Sequence, residues 1–124
     1  MPDMHQRVAV LGASARRDSY ANMALRRLHD GGHEVVPINP NVDSIDGLEV
    51  LDSLDEVSGR VDTLTMYVSA SISAFLIDEI VRLKPGRVIF NPGSENAELG
   101  AALQREGIAF EHACTLVLLR SGQF

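Results

Sequence analysis

Short apolar runs, each closed by a turn signal, alternate along this chain with longer stretches whose apolar residues recur at helical spacing, and that alternation is the signature of a βαβ protein. Val8–Leu11 (VAVL) ends at Gly12 and reads as a central strand buried on both faces. Tyr20, Met23, Ala24 and Leu28 then mark one face of a helix, with Asp18 or Ser19 as N-cap and Gly31-Gly32 as terminator. Glu34–Ile38 is a second strand, and Pro37 gives it an end position because proline supplies no ladder donor. Asn39-Pro40-Asn41 is a turn, and Val42–Glu49 is a polar connector that turns at Asp46-Gly47. Val50-Leu51 leads to a short helix around Ser53–Val57, where Ser53 and Glu56 have capping-box spacing.

Val61–Val68 supplies the third strand, and Ile72, Phe75, Leu76, Ile80 and Leu83 the inward face of one helix stopped by Pro85-Gly86. Arg87–Phe90 is the fourth strand. After the loop Asn91-Pro92-Gly93, Ser94 caps a helix with Glu95 and Glu98 in its first turn, Leu99, Ala102 and Leu103 inward, and Gly107 at its end. Ile108–Phe110 is a fifth strand. The apolar stretch Cys114–Leu119 fits a strand or a short closing helix ended by Gly122 equally well.

Five strands alternating with about four helices imply an α/β, Rossmann-like fold: a doubly wound parallel five-stranded sheet in a three-layer αβα sandwich with right-handed crossovers. A length of 124 residues suits a single domain spanning 1–124. No apolar run approaches the roughly 20 residues of a membrane span, and Met1–Arg7 is polar, so a cytoplasmic protein without membrane association is expected. The lone Cys114 excludes an intrachain disulfide and a cysteine-rich zinc site. A net charge of −6 argues against nucleic acid as a partner.

In such sheets ligands lie outside the carboxyl ends of the strands. The loops there are Gly12–Ser19, Asn39–Asn41, Ser69–Ser71, Asn91–Ser94 and Glu111–Cys114. Gly12-Ala13-Ser14 stands where a dinucleotide-binding domain cradles a pyrophosphate, with Gly12 allowing close approach and Ser14 offering a hydroxyl, although a tight turn without a ligand reads as well. By the first reading, Gly12→Val blocks the phosphate path and leaves the fold intact. The full G-x-G-x-x-G is absent, since Ser14 and Arg17 hold its second and third glycine positions. The acidic residue that would hold the ribose of NAD is also missing, because Asn39-Pro40 ends the second strand. Arg16 and Arg17 suit an anionic ligand with a further phosphate, or are solvated surface charge.

His29 and His33 are four apart, but Gly31-Gly32 breaks the helix that would place them on one metal-binding face. No G-x-S-x-G elbow is present, and Ser14 with the distant His112 does not amount to a catalytic pair. Cys114 is either a small core residue or a thiol at the ligand edge with His112 near enough to activate it. Tyr20 either packs inward or closes over the phosphates.

Taken in order, Val8–Ser14 (VAVLGAS), Ser19-Tyr20, His33–Pro40 (HEVVPINP), Ile45–Leu51 (IDGLEVL), Ser53-Leu54, Val61–Thr63, Tyr67–Ser69, Asn91–Asn96 (NPGSEN) and Ala113–Phe124 (ACTLVLLRSGQF) resemble the small single-domain CoA-binding proteins. That family shares a Rossmann-like fold with the N-terminal domain of ADP-forming acyl-CoA synthetases and succinyl-CoA ligases. The resemblance implies coenzyme A across the carboxyl edge, with Gly12, Ala13 and Ser14 at the pyrophosphate, Asn39 and Pro40 shaping the nucleotide pocket, and Tyr67, Val68 and Ser69 flanking the adenosine. Arg16, Arg17, Ser19, Tyr20, Gly93 and Cys114 complete the candidate binding set. Val68 stands where many members carry an arginine, which leaves the 3′-phosphate without an obvious partner.

Two functional classes follow. One is a module that binds coenzyme A or an acyl-CoA without chemistry of its own, as carrier, sensor or partner subunit, with a homodimer or an unidentified protein partner in prospect. The other is an NAD(P)-linked Rossmann-type oxidoreductase or regulatory protein in which Arg16 or Arg17 takes a 2′-phosphate.

Overall fold

Val8, Ala9 and Val10 are wholly buried, so the strand that carries them must be covered on both faces and paired along both edges. The computed structural model, which describes residues 5–124, places that strand next to the centre of a parallel sheet. In chain order, β1 (Arg7–Leu11), α1 (Tyr20–Asp30) and β2 (Glu34–Ile38) are followed by a hairpin of β3 (Ser44–Ile45) and β4 (Leu48–Glu49) and a 3₁₀ turn at Leu54–Glu56. Then come β5 (Thr63–Met66), α2 (Ala70–Ser73), α3 (Ile77–Leu83), β6 (Arg87–Phe90), α4 (Ala97–Arg105), β7 (Ala109–His112) and α5 (Thr115–Arg120).

The main sheet runs β2-β1-β5-β6-β7, with every pairing parallel. Strand order therefore reverses between β1 and β5, which is the switch point where a doubly wound sheet opens its crevice. Val8 and Val10 face α1 and α5, packing on Leu25, Leu28 and Leu119. Ala9, Leu11, Leu64, Met66, Val88 and Phe90 face Ile80, Leu99 and Leu103 of α3 and α4. Burying a leucine such as Leu25 or Leu28 contributes about 1.5–3 kcal/mol, so each face is anchored by a few large side chains. The three-layer αβα arrangement read from the sequence is the observed one.

β2 forms one border of the sheet, as Pro37 requires. The Pro37 carbonyl accepts from Leu51 N at 3.0 Å on the side away from β1, so the missing proline donor leaves no β1 carbonyl unpaired. Asn39 N returns a bond to Leu51 O at 2.9 Å. The chain thereby holds residue 51 beside the end of β2.

Several local expectations are corrected. Ser19 caps α1, its Oγ accepting from Asn22 N, but Tyr20 is 70% exposed; the inward face is Ala21, Ala24, Leu25 and Leu28. The helix expected through Ile72–Leu83 is broken into α2 and α3, and Ile72 and Phe75 are solvent-facing, Phe75 at 87%. Asn96, not Ser94, caps α4 by accepting from Leu99 N, while Ser94 is buried and donates to Asn91 O. Ser53 makes no side-chain cap; Glu56 instead accepts from Asp52 N. The polar connector folds as the β3–β4 hairpin around Asp46-Gly47, and the ambiguous closing segment is the helix α5.

Candidate functional site

At the switch point the Gly12–Ser19 loop is held from several sides. Asn39 Nδ2 donates to Ala13 O and the buried Asn22 donates through Nδ2 to Ser14 O, both at 2.8 Å. Asn22 is itself oriented by Arg26 Nε, which donates to its Oδ1 at 2.8 Å. Gly12 has φ +87°, and a Cβ there would lie 2.8 Å from Tyr67 O. The glycine thus lets β1 and the loop after β5 touch, forming a ridge. Its role in close packing is internal, which corrects the expectation that Gly12→Val would disturb only a ligand path.

The amides of Gly12 and Ala13 both donate to Ile38 O at 3.1 Å, so neither is left for a phosphate. Ser14 and Ala15 amides, with those of Tyr20 and Ala21 at the start of α1, meet no acceptor among the described residues. Of the expected Gly12–Ser14 cradle, only Ser14 therefore keeps an open amide, continued by Ala15 and by the start of α1, whose N–H groups the sequence already offered.

A cavity lies on each side of the ridge. The first, about 320 Å³, opens on the α3 face and is lined by Gly12, Ile38, Asn39, Pro40, Leu54, Val68, Ile72 and Leu76, with Asn41, Asp52, Ser53 and Glu79 as further polar wall. Glu79 Oε2 is buried without a hydrogen-bond partner among the described residues. The second, about 440 Å³, opens on the α5 face between Tyr20, Tyr67, Pro92, Cys114, Leu116, Val117 and Arg120. Tyr20, Ile72 and Val117 are three of the four large hydrophobic residues exposed among those described, and all three line these cavities.

Behind the second cavity a buried network fixes β5, β6 and α5 together. Asn91 donates to Thr65 Oγ1 at 2.7 Å and Met66 O at 2.9 Å, and accepts from Thr115 N at 2.8 Å. Thr65 and Thr115 hydroxyls bond each other at 2.8 Å. Alongside them the Tyr67 hydroxyl is buried with no bond of good geometry, and burial pushes its pKa up to about 12 against the opposing Thr115 hydroxyl.

The structure thus brings Gly12, Asn39, Pro40 and Val68 to one cavity and Tyr20, Tyr67 and Cys114 to the other, with Ala13 and Ser14 between. Ser69 is exposed at the start of α2, its hydroxyl paired with Ser71, and Gly93 donates its amide to Glu95; neither lines either of these two cavities. Ser19 is committed to capping α1. Arg16 and Arg17 point to surface partners, Asp18 at 3.5 Å and Asp46 at 3.2 Å. Cys114 is half-buried, so it is not the core residue of the blander reading, and His112 stacks on the Phe90 ring, 5.2 Å between centroids. Asp52, Glu79, Val117 and Arg120 were not singled out from the sequence. Helical spacing placed none of them at the edge, and only the bridge of Leu51 to Ile38, the packing of the 3₁₀ turn against α3, and that of α5 against α1 bring them there.

This sheet order, with a pinned loop at the switch point and a cavity on either side, defines a Rossmann-like nucleotide-binding domain. The chain belongs to the CoA binding domain family, whose model matches residues 6–120. It is similar to a solved uncharacterized protein at 36% identity, with a TM-score of 0.92 over 98% of this chain and 100% of that one. It is also 34% identical to the uncharacterized protein YneT of Bacillus subtilis over 62 residues, a match that spans 50% of this chain and 46% of that relative. A more distant likeness, in fold alone, is to the dinucleotide-forming acetyl-coenzyme A synthetase 1 of Ca. Korarchaeum cryptofilum, with a TM-score of 0.73 and 23% identity over 85% of this chain and 25% of that one. No helix among the described residues is long and apolar enough to cross a membrane.

Proposed function

We propose that this chain binds coenzyme A or an acyl-CoA along the carboxyl edge of its sheet and acts as a carrier, sensor or partner module without chemistry of its own. The observation that carries the reading is the pair of cavities separated by one ridge with free amides on it, which suits a long ligand with an anionic middle and two bulky ends. The adenosine enters the cavity walled by Asn39 and Pro40, where a doubly wound sheet holds a nucleotide at the end of its second strand. The pyrophosphate lies over the amides of Ser14, Ala15 and the first turn of α1. Pantetheine and any acyl group run past Tyr20 and Tyr67 into the cavity of Cys114, Leu116 and Val117. Membership of the CoA binding domain family and the likeness in fold to an acetyl-coenzyme A synthetase support the choice of ligand.

Calorimetric titration of the purified chain with CoA, acetyl-CoA, NAD and NADP tests this. Saturable binding of CoA or acetyl-CoA, one per chain and tighter than NAD or NADP, is expected. No CoA binding at concentrations up to about 1 mM, or tighter binding of NAD(P), would overturn it in favour of the oxidoreductase-type reading.

A further inference from the structure

We propose that the adenosine end of this site selects a ribose whose hydroxyls are free, so that the 3′-dephospho form of the nucleotide thiol binds better than coenzyme A. This rests on the reading of the edge as a CoA-type site and specifies its ligand more closely. The carboxylate that normally meets the ribose at the end of a second strand is absent from the sequence there, where Asn39-Pro40 stands. The fold supplies carboxylates from elsewhere. Leu51 bridges Ile38 at the end of β2 and so brings Asp52 to that cavity, and the first turn of α3 brings Glu79.

Glu79 lines the cavity, and its buried Oε2 has no partner among the described residues, so a carboxylate there is an acceptor that a hydroxyl donor reaching it would satisfy. A 3′-phosphate offers the reverse chemistry: it carries close to two negative charges and accepts rather than donates. None of the described residues that line this cavity is a lysine, arginine or histidine. The nearby loop arginines are each engaged with an acid, Arg16 with Asp18 and Arg17 with Asp46, and Arg82 of α3 with Asp55. A phosphate added to the ribose therefore meets the exposed Asp52 carboxylate and the partly buried Glu79 carboxylate, with no compensating cation among the described residues that line the cavity.

The test is calorimetric titration of the folded chain and its Glu79 variants with CoA and with 3′-dephospho-CoA at low and high salt, after thermal unfolding has shown each variant to be folded. Dephospho-CoA is expected to bind about fivefold more tightly at low salt, with the ratio shrinking as salt screens the carboxylates. Glu79→Gln should bring the ratio near unity, and Glu79→Lys should invert it. CoA binding as tightly as its dephospho form, or a ratio untouched by Glu79→Gln, overturns the inference and leaves the CoA-type reading of the edge standing. If Arg120→Ala weakens CoA but spares dephospho-CoA, the 3′-phosphate lies on the other side of the ridge and the assignment is wrong. Failure of both ligands to bind removes the CoA-type reading itself, and this inference with it.

Discussion

Replacing Gly12 by alanine measures how the ridge at the switch point is built. The glycine sits at φ +87°, and the new Cβ would lie 2.8 Å from Tyr67 O, 2.8 Å from Val68 Cγ1 and 2.9 Å from the Tyr67 carbonyl carbon. A left-handed conformation costs an L-residue roughly 1–2 kcal/mol. Forcing a methyl against a backbone that is itself bonded, Tyr67 N to Leu11 O at 2.8 Å, adds about 1–3 kcal/mol. The expected loss is therefore about 2–5 kcal/mol, a large part of the ~5–15 kcal/mol that holds an ordinary domain together. Gly93 provides the control, because it has φ +94° and no atom within 4 Å of its would-be Cβ. Gly93→Ala should show only the conformational part, about 1–2 kcal/mol. Urea unfolding of the two variants and wild type gives the comparison, with the slope m checked for constancy. If Gly12→Ala loses no more than about 0.5 kcal/mol beyond Gly93→Ala, the contact with Tyr67 is not tight and the reasoning fails. A Gly12→Val variant that loses its ligand accordingly says little about phosphate contact until its fold has been measured.

Asn91→Ala removes three hydrogen bonds and strands the buried Thr115 amide, so a loss of about 3–5 kcal/mol is expected; a loss under about 1 kcal/mol in urea unfolding would show that the network is dispensable. Burial keeps Tyr67 neutral in the folded chain up to about pH 12, whereas the unfolded phenol ionises near its ordinary value of about 10. Above pH 10 the unfolded state has therefore lost a proton that the native state keeps, and stability falls as pH climbs towards 12, by about 2–3 kcal/mol at most. Tyr67→Phe should flatten that fall and be neutral or stabilising near pH 7, since its hydroxyl has no good partner; an unchanged slope in denaturant titrations from pH 9 to 12 contradicts the assignment. Cys114, half-buried on the second cavity, should exchange with CoA disulfide to give one protein–CoA mixed disulfide and one released CoA thiol. Intact mass should show one reducible adduct, absent from Cys114→Ser; modification of wild type only after denaturation refutes it.

Periodicity made the sheet strands legible where they are short apolar runs, as in β1 and β6, and Pro37 marked the border strand β2 through its missing donor; the other border strand, β7, is largely exposed and runs on to His112, past the end expected at Phe110. Periodicity failed where exposure was not set by the core. Ile72 and Phe75 have the spacing of an inward helical face, yet α2 ends at Ser73 and the chain turns before α3, leaving both side chains exposed. Tyr20 misled in the same way: a large aromatic next to an N-cap fits an inward stripe, while the inward stripe belongs to Ala21, Ala24, Leu25 and Leu28. Local cap chemistry was ambiguous at Ser94 and Asn96, both good capping residues two positions apart, and only burial of Ser94 under Asn91 separates them. The glycine turn at the site was plain in the sequence. That its amides already bond Ile38 was not, since Ile38 lies on a different strand, and Asp52 and Glu79 converge from separate elements by tertiary packing alone.

The placing of β1 also bears on how the chain acquires this shape. Its apolar run Val8–Leu11 is made well before its partner on the inner side, β5, with Val8 paired to Thr63 across 55 steps of chain. At ~5–20 residues per second of synthesis, that separation lasts about 3–11 s. Throughout that interval β1 has only β2 and α1 for cover, and an unpaired apolar strand edge invites association with other chains. Loop closure over such a span slows folding even for the released chain, so the same strand that is most deeply protected in the native state is the longest exposed on the way to it.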